Sequence, residues 1–152
     1  MKKSARTLIE KFFLSPAFAV IGVSDNQKKF GNSVFRVMRE RKLPVYPVNP
    51  RLAQVNGGKC YSSILEVPEA VHSAIVVIPP EATERVIAEC VRKGIRMLWM
   101  QPGSESDRAI AEAETNGITV ITGWCFLMFL EPVASAHAMH RWVNKLFGAY
   151  PQ

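Results

Sequence analysis

Residues 22–33 carry glycines, hydroxyl groups and lysines in an order that suits the binding of a diphosphate. Gly22 follows an apolar run and lets the chain turn tightly, and Gly31 lets the next helix start close to a ligand. The free backbone N–H groups at such a helix start favour a phosphate. Polar and basic side chains lie in the same stretch: Ser24, Lys28, Lys29, Asn32 and Ser33. The segment therefore predicts a phosphate site, with a plain strand-to-helix turn and solvated lysines as the alternative.

The residues after the second apolar run argue against NAD. A dinucleotide fingerprint has the pattern G-x-G-x-x-G and an acidic residue about twenty positions further on. Residues 22–31 lack that pattern, and residues 47–51 contain no carboxylate. Arg51 suits a phosphorylated ribose, either that of NADP or the one that carries the 3′-phosphate of coenzyme A.

The histidines do not form a metal site in the sequence. His72, His137 and His140 are scattered, without a second type of ligand at a matching spacing. His137 and His140 lie three residues apart, so they share a face if that segment is helical. We expect no metal ion and no catalytic residue.

The cysteines indicate free thiols. Cys60, Cys90 and Cys125 are odd in number and far apart, without a C-x-x-C pair, which favours a reducing compartment over disulfides or zinc. Cys125 follows the last predicted strand, where a thiol could form a mixed disulfide with coenzyme A. A small buried hydrophobic residue is the alternative at this position.

The elements that must position these residues alternate between apolar runs and amphipathic helical patterns. Such alternation predicts an α/β fold, Rossmann-like and doubly wound, with about five parallel strands and helices on both faces. The predicted strands are residues 18–23, 43–48, 74–78, 95–100 and 118–121. Five helices are predicted, two of which span residues 5–14 and 81–93. Of the other three, one is capped by Asn32 or Ser33, one is capped by Ser104 and ends at Asn116, and one begins near Pro132. Pro44 and Pro47 are awkward in a central strand.

Ligands of open parallel sheets bind outside the carboxyl ends of the strands, where the strand order reverses. The loops expected there are residues 22–31, 48–51, 78–83 and 101–103. The predicted phosphate segment and Arg51 therefore meet at one edge of the sheet.

The composition fits one globular domain over residues 1–152. Hydrophobic residues make up 48% of the chain and charged residues 21%, which argues against disorder. The longest apolar runs are shorter than the roughly 18 residues that a membrane helix needs, so we expect a cytoplasmic protein without a membrane partner. The net charge of +6 favours the binding of polyanions. The alternative is that this charge has no specific role. The aromatic residues lie in apolar segments rather than among basic residues, so we expect no nucleic acid partner.

Six short motifs resemble, in the right order, the small CoA-binding domain family, which is similar to the amino-terminal domain of the succinyl-CoA synthetase α subunit. They are residues 20–24, 30–34, 45–50, 78–80, 98–103 and 117–121, the last followed by Cys125. The resemblance covers about residues 14–131 and implies a Rossmann-like fold that holds coenzyme A.

The resemblance also implies where each part of the ligand lies. Gly22, Ser24 and residues 28–31 would hold the diphosphate, residues 48–50 would border the adenosine, residues 78–80 would line the pantetheine path, and residues 101–103 would close its far end. The full expected set is Gly22, Val23, Ser24, Lys28, Lys29, Phe30, Gly31, Asn32, Ser33, Val48, Asn49, Pro50, Arg51, Ile78, Pro79, Pro80, Thr83, Gln101, Pro102 and Gly103.

The leading functional hypothesis is a non-catalytic coenzyme A or acyl-CoA binding protein that serves as a carrier, a sensor or a subunit of a partner enzyme. The alternatives are an NADP-dependent oxidoreductase and another nucleotide-binding regulatory module. We expect the apolar cluster at residues 124–130 to form part of the core, a contact between helices or the face of a homodimer.

Overall fold

Five short parallel strands form an open sheet in the computed structural model, which describes residues 4–130. The strands are β1 (Phe18–Ile21), β2 (Val45–Val48), β5 (Ser73–Val76), β6 (Met97–Met100) and β7 (Thr119–Ile121). Their spatial order is β2-β1-β5-β6-β7, and every neighbouring pair is parallel. The predicted parallel sheet is confirmed, with strands one or two residues shorter than the apolar runs.

Helices cover both faces of this sheet. They are α1 (Ala5–Phe13), α2 (Phe30–Glu40), α3 (Pro80–Lys93) and α4 (Asp107–Thr115). Phe12 of α1 and Met38 of α2 pack in one core with Trp99 of β6. Ile87 of α3 and Ala109 of α4 pack in a second core on the opposite face. The doubly wound arrangement is therefore confirmed.

Burial explains why the central strands are uninterrupted apolar runs. Every residue of β1, β5 and β6 is buried, because helices cover both faces of a parallel sheet. β2 is an edge strand, and its residues Val45 and Tyr46 are only half-buried. An edge strand tolerates Pro47, since its missing N–H is not required by a second neighbour.

A small hairpin follows β2. Its strands are β3 (Gln54–Val55) and β4 (Gly58–Lys59), joined by Asn56 and Gly57, both with positive φ. The chain then returns to the sheet, where Tyr61 pairs with Val48. A short 3-10 helix, Ile64–Glu66, packs against α3. This segment therefore forms a wall beside the end of β2.

Two predicted helix caps are wrong. α2 begins at Phe30 with Lys29 at its N-cap, so Asn32 and Ser33 lie inside the helix. α4 is capped by Ser106, whose Oγ accepts a hydrogen bond from the Ala109 amide. The predicted cap Ser104 is instead buried in the preceding loop.

The structure tests the remaining predicted helices only as far as residue 130. α1, α3 and the Gly94 stop of α3 are confirmed, with Gly94 in the left-handed conformation. The helix expected from Pro132, His137 and His140 lie outside the described residues. No helix within residues 4–130 is long and apolar enough to cross a membrane.

Candidate functional site

The strand order reverses between β1 and β5, which places a crevice at the carboxyl ends of these two strands. Gly22 follows β1 there with a φ of +119°. A Cβ on Gly22 would lie 2.2 Å from the carbonyl oxygen of Val77, the residue after β5. Only glycine fits this position, because both the backbone conformation and the neighbouring carbonyl exclude a side chain.

The first turn of α2 lies directly against the end of β1. A Cβ on Gly31 would be 2.1 Å from the carbonyl oxygen of Gly22. Lys29, the N-cap residue, makes no side-chain hydrogen bond to the helix. A helix start without a side-chain cap can bind an anion in its place.

The starts of α1, α3 and α4 are less suited to binding an anion than the start of α2. Ser4 and Ser106 cap α1 and α4 with their hydroxyl oxygens. α3 lacks a side-chain cap, but its first residue is Pro80, which has no N–H to donate. Among the α-helices within residues 4–130, α2 and α3 lack a side-chain cap, and the start of α2 is the better anion site of these two.

Buried Asn32 fixes the loop between β1 and α2. Its Oδ1 accepts a hydrogen bond from the Ser24 amide and its Nδ2 donates to the Ser24 carbonyl, both at 2.7 Å. The hydroxyl of Ser24 accepts from the Asn26 amide at 3.1 Å, and Asn26 Oδ1 accepts from the Lys28 amide at 3.1 Å. The loop is thus pre-shaped, while the Lys28 and Lys29 side chains remain exposed.

Asn49 joins the end of β2 to the same loop. Its Nδ2 donates to the Val23 carbonyl at 2.7 Å, and its Oδ1 accepts from the Arg51 amide at 2.7 Å. The Asn49 amide donates to the Tyr61 carbonyl at 2.9 Å. These bonds hold the Arg51 backbone at the carboxyl edge of the sheet.

A first cavity of about 530 Å³ opens between the ends of β1 and β2 and the start of α3. It is lined by Ile21, Gly22, Val48, Asn49, Pro50, Arg51, Ser62, Ser63, Ile64, Ile78, Pro79, Ala82, Arg85, Val86 and Glu89. Its charged lining groups are Arg51, Arg85 and Glu89, and Ser63 Oγ donates to Glu89 Oε2 at 2.7 Å. The volume is typical of small-molecule sites.

A second cavity, of about 500 Å³ and more open to solvent than the first, continues along the same edge toward β6. It is lined by Phe30, Val77, Ile78, Pro79, Pro80, Gln101, Pro102, Gly103 and Ser104. Ile78 and Pro79 line both cavities, so the two are adjacent. The side-chain oxygen of Gln101 accepts from the Phe126 amide at 3.0 Å, which fixes this wall.

Twelve residues of the predicted site line one of the two cavities. They are Gly22, Phe30, Val48, Asn49, Pro50, Arg51, Ile78, Pro79, Pro80, Gln101, Pro102 and Gly103. The sequence prediction missed Arg85, Ser62, Ser63 and Glu89. Arg85 and Glu89 are four residues apart on α3, on a polar stripe that a sequence pattern cannot distinguish from solvated surface.

Other predicted site residues lie outside the two linings. Ser24, Lys28, Lys29, Gly31, Asn32 and Ser33 form the adjoining loop and helix start, and Val23 is buried beneath them. Thr83 is fully buried, and its hydroxyl donates to the Pro79 carbonyl at 3.4 Å. Cys125 is buried in the core that contains α1 and α2. The roles of these residues in binding remain predictions.

Cys60 lies beside the backbone of Asn49, a residue that lines the first cavity. Cys60 is buried in the segment that returns from the hairpin. Burial raises the pKa of its thiol, and a hydrogen bond with the Asn49 backbone partly offsets the rise. Cys60 therefore favours the protonated, unreactive form.

Comparison with known proteins gives concordant results. The family model described as CoA binding domain matches residues 16–131. Acetate–CoA ligase [ADP-forming] I of Archaeoglobus fulgidus is 37% identical over 137 residues, which cover 83% of this chain and 20% of the ligase. The α subunit of acetate–CoA ligase [ADP-forming] II of Pyrococcus furiosus is 39% identical over 90 residues, 59% of this chain and 20% of that subunit. The chain thus spans about a fifth of these relatives.

A solved structure extends the comparison to a protein of similar size. A conserved hypothetical protein from Pyrococcus furiosus superposes with a TM-score of 0.69 at 35% sequence identity. The match covers 72% of this chain and 94% of that one. The fold therefore occurs both within long ligases and as nearly the whole of a short chain.

Proposed function

Because this chain belongs to the CoA binding domain family, we propose that it binds coenzyme A or an acyl-CoA with its diphosphate at the start of α2, and that it does no chemistry alone. The family membership carries the ligand class. The position of the diphosphate and the absence of catalysis are our inferences from the site.

The contact between Gly22 and Gly31 is the observation that supports the position of the diphosphate. It brings the uncapped first turn of α2 to the crevice at the strand switch point. Backbone amides at a helix start combine donor groups with the positive end of the helix dipole. Lys28 and Lys29 add two exposed positive charges to the adjoining loop.

The first cavity suits the nucleotide end of the ligand. Coenzyme A carries a 3′-phosphate on its ribose, and guanidinium groups bind phosphates with two parallel hydrogen bonds. Arg51 and Arg85 line this cavity. Two cations on its wall support the assignment of the 3′-phosphate to this end, so coenzyme A would bind more tightly than dephospho-coenzyme A.

The groups that line the cavities are suited to holding a ligand. Ser63 and Glu89 restrain each other through their hydrogen bond, and Gln101 is engaged by the Phe126 amide. We therefore propose a carrier, a sensor or the CoA-holding subunit of a partner enzyme. The similarity to a ligase α subunit favours the last of these roles.

Calorimetric titration with coenzyme A, NADP and an oligonucleotide tests the proposal against its rivals. The proposed function predicts that coenzyme A binds most tightly and that the oligonucleotide does not compete with it. Tighter binding of NADP would favour the oxidoreductase alternative and overturn the proposal.

A further inference from the structure

The second cavity differs in chemistry from the first. Six of the residues that line it present apolar side chains: Phe30, Val77, Ile78, Pro79, Pro80 and Pro102. None of the lining residues, all within the described part of the chain, has an ionisable side chain. The first cavity, by contrast, carries Arg51, Arg85 and Glu89.

Several polar groups of the residues that line the second cavity already have structural partners. Gln101 Oε1 accepts from the Phe126 amide, and the Ser104 amide donates to the Gln101 carbonyl at 2.8 Å. Ser104 and Gln101 are also buried. A ligand group that enters this cavity therefore meets mainly apolar surface.

The direction of the ligand follows from the adjacency of the cavities. Ile78 and Pro79 contribute to both walls, so a ligand with its nucleotide in the charged cavity can extend its arm into the apolar one. In coenzyme A the end of that arm is the thiol, which carries any acyl group. The acyl group would then lie between Pro80, at the start of α3, and the loop after β6.

We propose that the preferred ligand is a coenzyme A thioester of a neutral, apolar short-chain acyl group, whose chain lies in the second cavity. This inference rests on the proposed function. Burial of methylene groups favours a longer neutral chain, whereas a terminal carboxylate would lose hydration without gaining a cationic partner. The same cavity therefore disfavours dicarboxylic acyl groups such as succinyl.

Calorimetry with coenzyme A, acetyl-CoA, butyryl-CoA and succinyl-CoA tests the proposal. Each added methylene is expected to tighten binding by up to about fourfold, the effect of burying one such group completely. Succinyl-CoA is expected to bind more weakly than butyryl-CoA. If coenzyme A binds but the thioesters bind equally or more weakly, or if succinyl-CoA binds as tightly as butyryl-CoA, the acyl inference is wrong and the proposed function stands. If coenzyme A itself does not bind, the proposed function fails.

A charge introduced into the cavity gives a second test. Pro102 is exposed in the loop after β6. Pro102→Lys would supply a cationic partner for the carboxylate of succinyl-CoA. The ratio of succinyl-CoA to butyryl-CoA affinity should rise by about two- to fivefold, the size of one exposed charge pair. Pro16→Lys is the matched control, because Pro16 is an exposed proline at the opposite edge of the sheet. An unchanged ratio in Pro102→Lys, or an equal rise in Pro16→Lys, would contradict the placement of the acyl chain.

Discussion

The α carbon of Gly31 lies so close to Gly22 that a Cβ on Gly31 would be 2.1 Å from the Gly22 carbonyl oxygen. The contact joins the first turn of α2 to the residue that follows β1 at the switch point. Backbone lies against backbone, so neither partner can move aside as a flexible side chain could. The proposed diphosphate site depends on this contact, because it fixes where the amides of α2 begin.

Gly31→Ala should therefore lower both stability and ligand affinity. The methyl group must displace the β1 end or the helix start, at a cost of about 1–3 kcal/mol in the free energy of unfolding. Gly58→Ala is the control, since a Cβ there would be 3.8 Å from the nearest neighbouring atom. Urea denaturation and calorimetry with coenzyme A measure the two effects. A Gly31→Ala variant with the stability and affinity of the parent protein would refute the packing argument.

Removal of the loop lysines tests whether they contact phosphate. The double substitution of Lys28 and Lys29 by Ala should weaken coenzyme A binding by about 1–3 kcal/mol, the cost of losing charged hydrogen bonds. Lys11 and Arg92 are exposed in the last turns of α1 and α3, so their replacement by Ala removes the same net charge far from the crevice. An equal dissociation constant for the Lys28/Lys29 variant and the parent protein would mean that these lysines only face solvent.

Arg85 should determine the preference for coenzyme A over dephospho-coenzyme A. Arg85→Gln removes a cation from the first cavity and should weaken coenzyme A binding by about 1–2 kcal/mol, with little change for dephospho-coenzyme A. Arg92→Gln, two turns further along α3, controls for the loss of charge from the helix. Comparable weakening of both ligands in Arg85→Gln would assign the residue a role other than binding the 3′-phosphate.

Cys90 should make the fold less stable at alkaline pH. Burial and, second, the charge of Glu89 raise the pKa of its thiol from the ordinary 9.0 to about 12. The folded state thus favours the neutral thiol, and this contribution is complete below pH 9 and lost as the pH rises toward 12. The difference in unfolding free energy between the parent protein and Cys90→Ala should fall by up to about 1.4 kcal/mol per pH unit in that window. Denaturant titrations at several pH values measure it, and parallel pH profiles would contradict the prediction.

The sequence was sufficient to predict the sheet and the main loops of the site, because both depend on local patterns. Apolar runs buried on two faces predict central parallel strands, and the loops after them must share one edge. The edge position of β2 was not predicted from its pattern, although Pro44 and Pro47 are awkward in a central strand. That position depends on which strand pairs with β1, which is a tertiary property.

The errors at the site have a common physical cause. Asn32 has the side chain of a helix cap, yet it bonds to both backbone groups of Ser24 from inside the helix. Arg85 lies on a helix whose polar stripe resembles solvated surface, yet it faces the first cavity. Side-chain type and spacing predict which hydrogen bonds a residue can form. The packing of α2 and α3 against the sheet edge determines which groups the residue actually contacts.

A crystal structure of the protein with coenzyme A is the most direct test of the central claim. The expected result is a diphosphate within hydrogen-bond distance of backbone amides in residues 22–31, with the nucleotide in the first cavity. Density for coenzyme A at another surface, or a helix start closed to the diphosphate while coenzyme A saturates the protein in solution, would contradict the account.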